Sequence, residues 1–164
     1  MITFKGNKVN VVGRMPNVGE VAPGFVAIDS SLSEKTLNDF SNKIKIISSV
    51  PSLDTSVCSL ETKKIDEMMK KFSDDYIFIT ISMDLPFAQN RWCGANNVNK
   101  VVTLSDYKYR SFGYAYGLYV IELGLLARCL FIIDKENKVR YIQLVNEITN
   151  EPNYEDLEKA INAV

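Results

Sequence analysis

The sequence predicts an α/β fold, and three observations carry that expectation. Two apolar, β-branched runs, IKIISSV (44–50) and YIFITISM (76–83), each read as a strand buried on both faces. Stretches with helical spacing separate them from each other and from later strand-like runs, which is the alternation of an α/β sheet. A lone cysteine ends PSLDTSVC (51–58), where the first run turns into the following helix. At 164 residues the chain has the length of one domain, read as 1–164, with no linker, repeat or low-complexity segment.

Taken in order, ITFK and KVNVV flank Gly6-Asn7, so about residues 1–13 are expected to form a hairpin with that pair as its two-residue turn. Residues 15–31 hold scattered Pro and Gly and read as loop around a short strand, Phe25 to Ile28. Ser33 to Phe40 is expected as a short helix. From Cys58 onward, Leu60, Ile65, Met68, Met69 and Phe72 recur at helical spacing, the pattern of a face packed on the core. In DLPFAQNRWCGANN, Asp84 suits a cap, Pro86 a first helical turn, and Gly94 a helix end. Short strands are expected at Val101–Leu104, Cys129–Ile133 and Val139–Val145. Asn153 is placed to cap a last helix that carries Leu157, Ile161 and Val164 on one face.

Composition excludes several function classes. The net charge of −1 gives no electrostatic reason to expect nucleic acid or an anionic membrane as partner. No apolar run nears the roughly 20 residues of a membrane helix. The stretch MITFKGNKVNVVGRM lacks the apolar core and cleavage site of a secretory signal, so a cytoplasmic location is expected. Three cysteines are too few for a disulfide scaffold. The absence of histidine is the sharper fact. It removes histidine-held haem, His-rich metal sites and every Cys-His or Ser-His-Asp nucleophile system. Cysteine chemistry in this chain has to proceed without an imidazole base.

A free thiol with pKa near 8.5 is only a few per cent thiolate at neutral pH, and the thiolate is the nucleophile. At the start of a helix, Cys58 faces unpaired backbone N–H groups and the positive end of the dipole, worth about 0.3–2 kcal/mol. Thr55, three residues earlier, is expected to turn its hydroxyl toward the sulfur, adding roughly 1.5–3 kcal/mol. Pro51 stiffens the loop, and a nearby cation would complete the activation. The competing reading, Cys58 as a small buried apolar residue, suits most free cysteines. Pro-x-x-x-Thr-x-x-Cys between a strand and a helix tips the balance toward reactivity.

PSLDTSVC resembles the active-site signature of the peroxiredoxins. The N-terminal hairpin, DLPFAQNRWCGA (84–95), TLSDY (103–107), SFGYAYG (111–117) and LLARCLFIID (125–134) resemble the bacterial thiol peroxidase branch. The resemblance spans nearly the whole chain. It implies a thioredoxin-like fold with an added N-terminal β-hairpin, and homodimers that reduce hydrogen peroxide and organic hydroperoxides. It implies no metal, haem or other cofactor, and thioredoxin as reductant. Carried over by position, Cys58 matches the peroxidatic cysteine, framed by Thr55 and Pro51. Arg128 matches the active-site arginine, and Cys93 the resolving cysteine that forms an intrachain disulfide with Cys58. The chain departs from the family at Ala22-Pro23-Gly24-Phe25, where aspartate usually follows the proline; only that turn is expected to feel it.

Cys129 competes for the resolving role, but it lies in a strand-like run, and alternation points it away from the site if Arg128 points in. Phe87, Trp92, Tyr107, Phe112, Tyr114 and Tyr116 read as core or dimer interface. Lys63, Lys64, Lys70 and Lys71 read as a solvated helix face. Two other functions stay open on residues alone. A thiol-disulfide oxidoreductase usually carries Cys-x-x-Cys, which is absent around Cys58. A redox sensor would use the same reactive thiol.

Overall fold

The computed structural model describes residues 1–164. Its centre is a seven-stranded sheet. Strands β6 (Ile44–Ser49), β7 (Tyr76–Ser82) and β8 (Val101–Ser105) run parallel, joined by helices α1 (Ser56–Met69) and α2 (Pro86–Asn96). On one side β11 (Cys129–Ile133) and β12 (Val139–Leu144) add antiparallel; on the other, β4 (Val26–Ile28) and β5 (Glu34–Thr36) do so. The order across the sheet is β12-β11-β6-β7-β8-β4-β5. Every residue of β6 is buried, Lys45, Ser48 and Ser49 included, because both sheet faces are covered.

Alternation along the strands builds two cores. Ile46, Phe78, Leu130 and Ile132 point to one face, under Ile65, Met68 and Met69 of α1 and Leu157 and Ile161 of α4 (Tyr154–Asn162). Ile47, Ile79, Ile81 and Phe131 point to the other, where Phe112 of α3 (Ser111–Ala115) and Tyr116 stack at 4.5 Å. The Asn153 side chain caps α4 by accepting from the Asp156 N–H, as its position predicts.

The N-terminal hairpin joins β1 (Ile2–Phe4) to β2 (Asn7–Val9), with Phe4 opposite Asn7. Its turn is therefore Lys5-Gly6, one residue earlier than expected. Both turn residues have positive φ, 50° and 79°, as a type I′ turn demands. The register follows from a distant partner, because the N–H groups of Lys5 and Gly6 both donate to the Glu147 carboxylate. The chain then leaves the hairpin at Asn10, which Glu122 holds. β3 (Val11–Val12) pairs instead with β9 (Tyr119–Val120), itself paired to β10 (Leu125–Leu126).

Other expectations also shift. The helix expected at Ser33–Phe40 is half strand, because Glu34–Thr36 pairs with β4; a 3₁₀ turn, Leu37–Phe40, follows. Asp84 does not cap α2; its carboxylate accepts from Ser52 Oγ, the Leu53 N–H and Ser82 Oγ. Gly94 lies inside α2, and Asn97 ends that helix in the left-handed region at φ 53°. Leu60 and Val164 are each 39% exposed rather than packed, and Phe72 lies past the end of α1. On α1's inner face, Glu61, Thr62 and Asp66 are buried instead.

Candidate active site

The site forms where β6 ends. Val50 and Pro51 are buried, residues 52–54 turn, and Thr55 takes the N-cap position of α1 with extended φ and ψ. Cys58 is then the third residue of the helix and is fully buried. The N–H groups of Ser56, Val57 and Cys58 fall in the first turn, where no carbonyl precedes them in the helix, so a partial positive charge faces the sulfur's neighbourhood.

Arg128, placed just before β11, supplies the cation. Its side chain is 2% exposed, yet each part of its guanidinium has a partner. Nη2 donates to Cys58 Sγ at 3.2 Å, Nε donates to the Ile148 carbonyl at 2.9 Å, and Nη1 pairs with Glu61. Glu61 lies one turn after Cys58 and also accepts from Ser48 Oγ at 2.8 Å. Burial pushes the Glu61 carboxyl up, against the pull of Arg128 and Ser48. Burial works against the Arg128 charge too, but Glu61 and Cys58 overcome it and hold the guanidinium protonated. A cleft of about 370 Å³ opens over this group, lined by Pro51, Thr55, Val57, Arg128, Phe4 and Ile148, among others.

Thr55 lies at the mouth of this cleft but does not reach the sulfur. Its exposed hydroxyl donates to the Ser52 carbonyl at 2.9 Å, satisfying the turn that precedes the helix. Cys93 is in the last turn of α2, half-buried, and packs on the cluster formed by Val50, Leu53, Cys58 and Trp92. Trp92 Nε1 donates to Ser59 Oγ at 3.0 Å, tying α2 to the start of α1. Burial pushes the Cys93 thiol up. Cys129 is fully buried in β11 within the other core, and burial followed by the Glu61 charge pushes its thiol up as well. All three cysteines are free thiols.

Glu61, Ser48 and the Ile148 carbonyl escape a reading of the sequence. The available signal for Glu61 is its i+3 spacing from Cys58, which sets both on one helix face. A backbone carbonyl 20 residues from its arginine leaves no signal at all.

A thiol at a helix start on a mixed sheet with a parallel centre, with a buried arginine on its sulfur, defines a thioredoxin-like thiol-redox protein. The comparisons narrow the class. A family model described as Redoxin matches residues 17–158. The chain is 50% identical to the thiol peroxidase of Bacillus subtilis (strain 168), covering 99% of this chain and 97% of that one. It is 47% identical to the thiol peroxidase of Staphylococcus epidermidis, covering 97% and 96%. A solved peroxiredoxin-like protein from Aquifex aeolicus superposes with TM-score 0.91 at 42% identity, covering 99% and 96%. The chain belongs to the redoxin family, in its thiol peroxidase branch, and is a peroxidase of the peroxiredoxin type.

Proposed function

We propose that the chain reduces hydrogen peroxide and organic hydroperoxides at Cys58, resolves the product with Cys93, and is returned to the dithiol form by thioredoxin. The observation that carries this reading is the 3.2 Å contact between Arg128 Nη2 and Cys58 Sγ at the head of α1, below an open cleft. The Cys58 thiolate attacks one peroxide oxygen; the S–O bond forms as the O–O bond breaks. The leaving oxygen departs as water or alcohol after taking a proton. Arg128 and the first-turn N–H groups supply fixed positive charge where negative charge develops on the oxygens. Pro51 and Thr55 shape the mouth and orient the peroxide.

Sulfenic acid at Cys58 then meets the Cys93 thiol. An S–S bond forms, the sulfenic oxygen leaves as water, and thioredoxin's dithiol exchanges with the disulfide. No step uses a metal or organic cofactor. The working form in this reading is a cytoplasmic homodimer of one thioredoxin-like domain per chain, with residues 1–13 as its added hairpin. No helix is long and apolar enough to cross a membrane.

Peroxide consumption with thioredoxin and its reductase tests the reading. Wild type should turn over continuously and Cys58→Ser not at all. Cys93→Ser should react once and stop. Sustained turnover by Cys58→Ser would overturn the assignment.

A further inference from the structure

Glu147 gathers an unusual number of donors for a surface carboxylate. Oε1 accepts from the Lys5 N–H at 2.9 Å, the Thr149 N–H at 3.2 Å and Thr149 Oγ1 at 2.6 Å. Oε2 accepts from Thr3 Oγ1 at 2.6 Å and the Gly6 N–H at 3.0 Å. Five donors therefore converge on two oxygens, and they come from the hairpin and from the segment that follows β12. These hydrogen bonds hold the carboxyl down at about pKa 2, the Thr149 hydroxyl contributing most.

The same two segments are stitched by backbone. The Thr3 N–H donates to the Asn146 carbonyl at 2.7 Å, and the Ile148 N–H to the Thr3 carbonyl at 2.9 Å. Residues 145–148 are in turn bound to Arg128 twice. The Val145 N–H donates to the Arg128 carbonyl at 3.0 Å, and Arg128 Nε donates to the Ile148 carbonyl. A continuous path thus runs from the hairpin turn through Glu147 and Ile148 to the guanidinium on the Cys58 sulfur. Phe4, Lys5, Ile148 and Thr149, from the two stitched segments, also wall the cleft above it.

We propose that Glu147 is a positioning residue for peroxide reduction: by clamping the hairpin to the 145–150 segment, it fixes the Ile148 carbonyl that aims Arg128 at Cys58. This rests on the roles given above to Cys58 and Arg128. Only a carboxylate can accept from all five donors, since glutamine replaces one acceptor with a donor facing other donors. Misplacing a reacting group by an ångström costs up to about a hundredfold in rate, so a loosened carbonyl has leverage.

The test is a double-mutant cycle read by the rate of Cys58 oxidation with hydrogen peroxide. Lysine at 128 has no Nε–H to offer the Ile148 carbonyl, so it cuts the path at its last link. Glu147→Gln should slow wild type about tenfold, yet slow Arg128→Lys by no more than about twofold. Should Glu147→Gln fail to fold, Thr3→Val carries the same cycle with a loss of about threefold, because it removes one donor and keeps the carboxylate. An unchanged rate in the wild-type background overturns the proposal. So does an equal loss in both backgrounds, which would make Glu147 a structural residue only. If wild type itself failed to oxidise at Cys58, the fault would lie with the proposed function instead.

Discussion

Arg128 meets three different partners with one planar group, and this geometry decides how its replacements behave. Nε, Nη1 and Nη2 each face a separate acceptor, namely the Ile148 carbonyl, Glu61 and the Cys58 sulfur. A cation about 4 Å from a thiolate contributes roughly 4 kcal/mol at an effective dielectric near 20. That corresponds to about a thousandfold in rate where the charge stabilises the transition state and not the ground state. Arg128→Ala should therefore slow Cys58 oxidation by about that factor. It also leaves Glu61 buried without its partner, and breaking such a pair typically costs about 3–5 kcal/mol of stability. The raised Glu61 carboxyl softens this cost, since it can take up a proton when the guanidinium is gone. Arg128→Lys keeps the charge but not the fork, and should recover only a small part of the rate. Stopped-flow oxidation, with circular dichroism as the check on folding, measures both. A rate near wild type in Arg128→Ala would remove the arginine from the mechanism.

The helices and the hairpin show which features of the sequence were legible. Strands 44–49, 76–82 and 129–133 were readable because continuous β-branched runs have few alternatives. The place of Cys58 at the start of a helix was readable because proline, threonine and cysteine occupy one short turn. Glu61 was not, because a charged residue on a helix looks solvent-facing until its arginine, 67 positions away, is folded against it. The turn at Lys5-Gly6 was missed by one residue for the same kind of reason. Its register is set by Glu147, on the far side of the sequence. That dependence carries a pH signature. Glu147 drops from its ordinary 4.5 to about 2 in the folded chain, so it stabilises the hairpin above pH 4.5. The stabilisation is lost as pH falls from about 4.5 through 2. Amide exchange at Lys5 and Gly6 should accelerate through that window before the central sheet opens. A second expectation concerns α1 and α2. Cys58 and Cys93 are both free and lie on separate helices whose ends meet at Trp92, and a disulfide needs Cα atoms within about 7 Å. The first turn of α1 and the last turn of α2 should unwind to bring them together. One equivalent of peroxide should give an intrachain Cys58–Cys93 bridge by peptide mapping, with Cys129 still free in its strand. Trp92, the only tryptophan, should change its fluorescence as its bond to Ser59 breaks. A bridge to Cys129, or one between chains, would assign the resolving role elsewhere.

At the scale of the whole molecule, the sheet gathers chemistry at one edge. β6, β7 and β8 are parallel, so their C-terminal ends lie side by side and deliver the Cys58 turn, the start of α2 and the loop after Ser105 to the same side. The last two are joined directly, since Ser105 Oγ donates to the Asp84 carbonyl at 2.5 Å. This edge also carries apolar side chains with nothing over them. Phe87 is 68% exposed and Leu85 50%, with Tyr107 and Tyr109 on the adjoining loop also exposed. Of the aromatics read as core or interface, Phe112, Tyr116 and Trp92 are buried, which leaves Phe87, Tyr107 and Tyr114 for a surface role. Clustered exposed apolar groups mark an interaction surface, and a stable interface covers about 800 Å² on each partner. The homodimer proposed above would seat a second copy of the chain here, with Phe87 near the centre of the contact. Phe87→Asp would bury two like charges close to a two-fold axis, which no rotamer change relieves. Sedimentation at micromolar concentration should show wild type as a dimer and Phe87→Asp as a monomer that still folds. The monomer's α2 start would be left uncovered next to the Asp84 carboxylate, which holds Ser52 and Leu53 ahead of Cys58. Its peroxide reduction should therefore fall several-fold rather than vanish. A Phe87→Asp variant that remained dimeric would place the interface on another face.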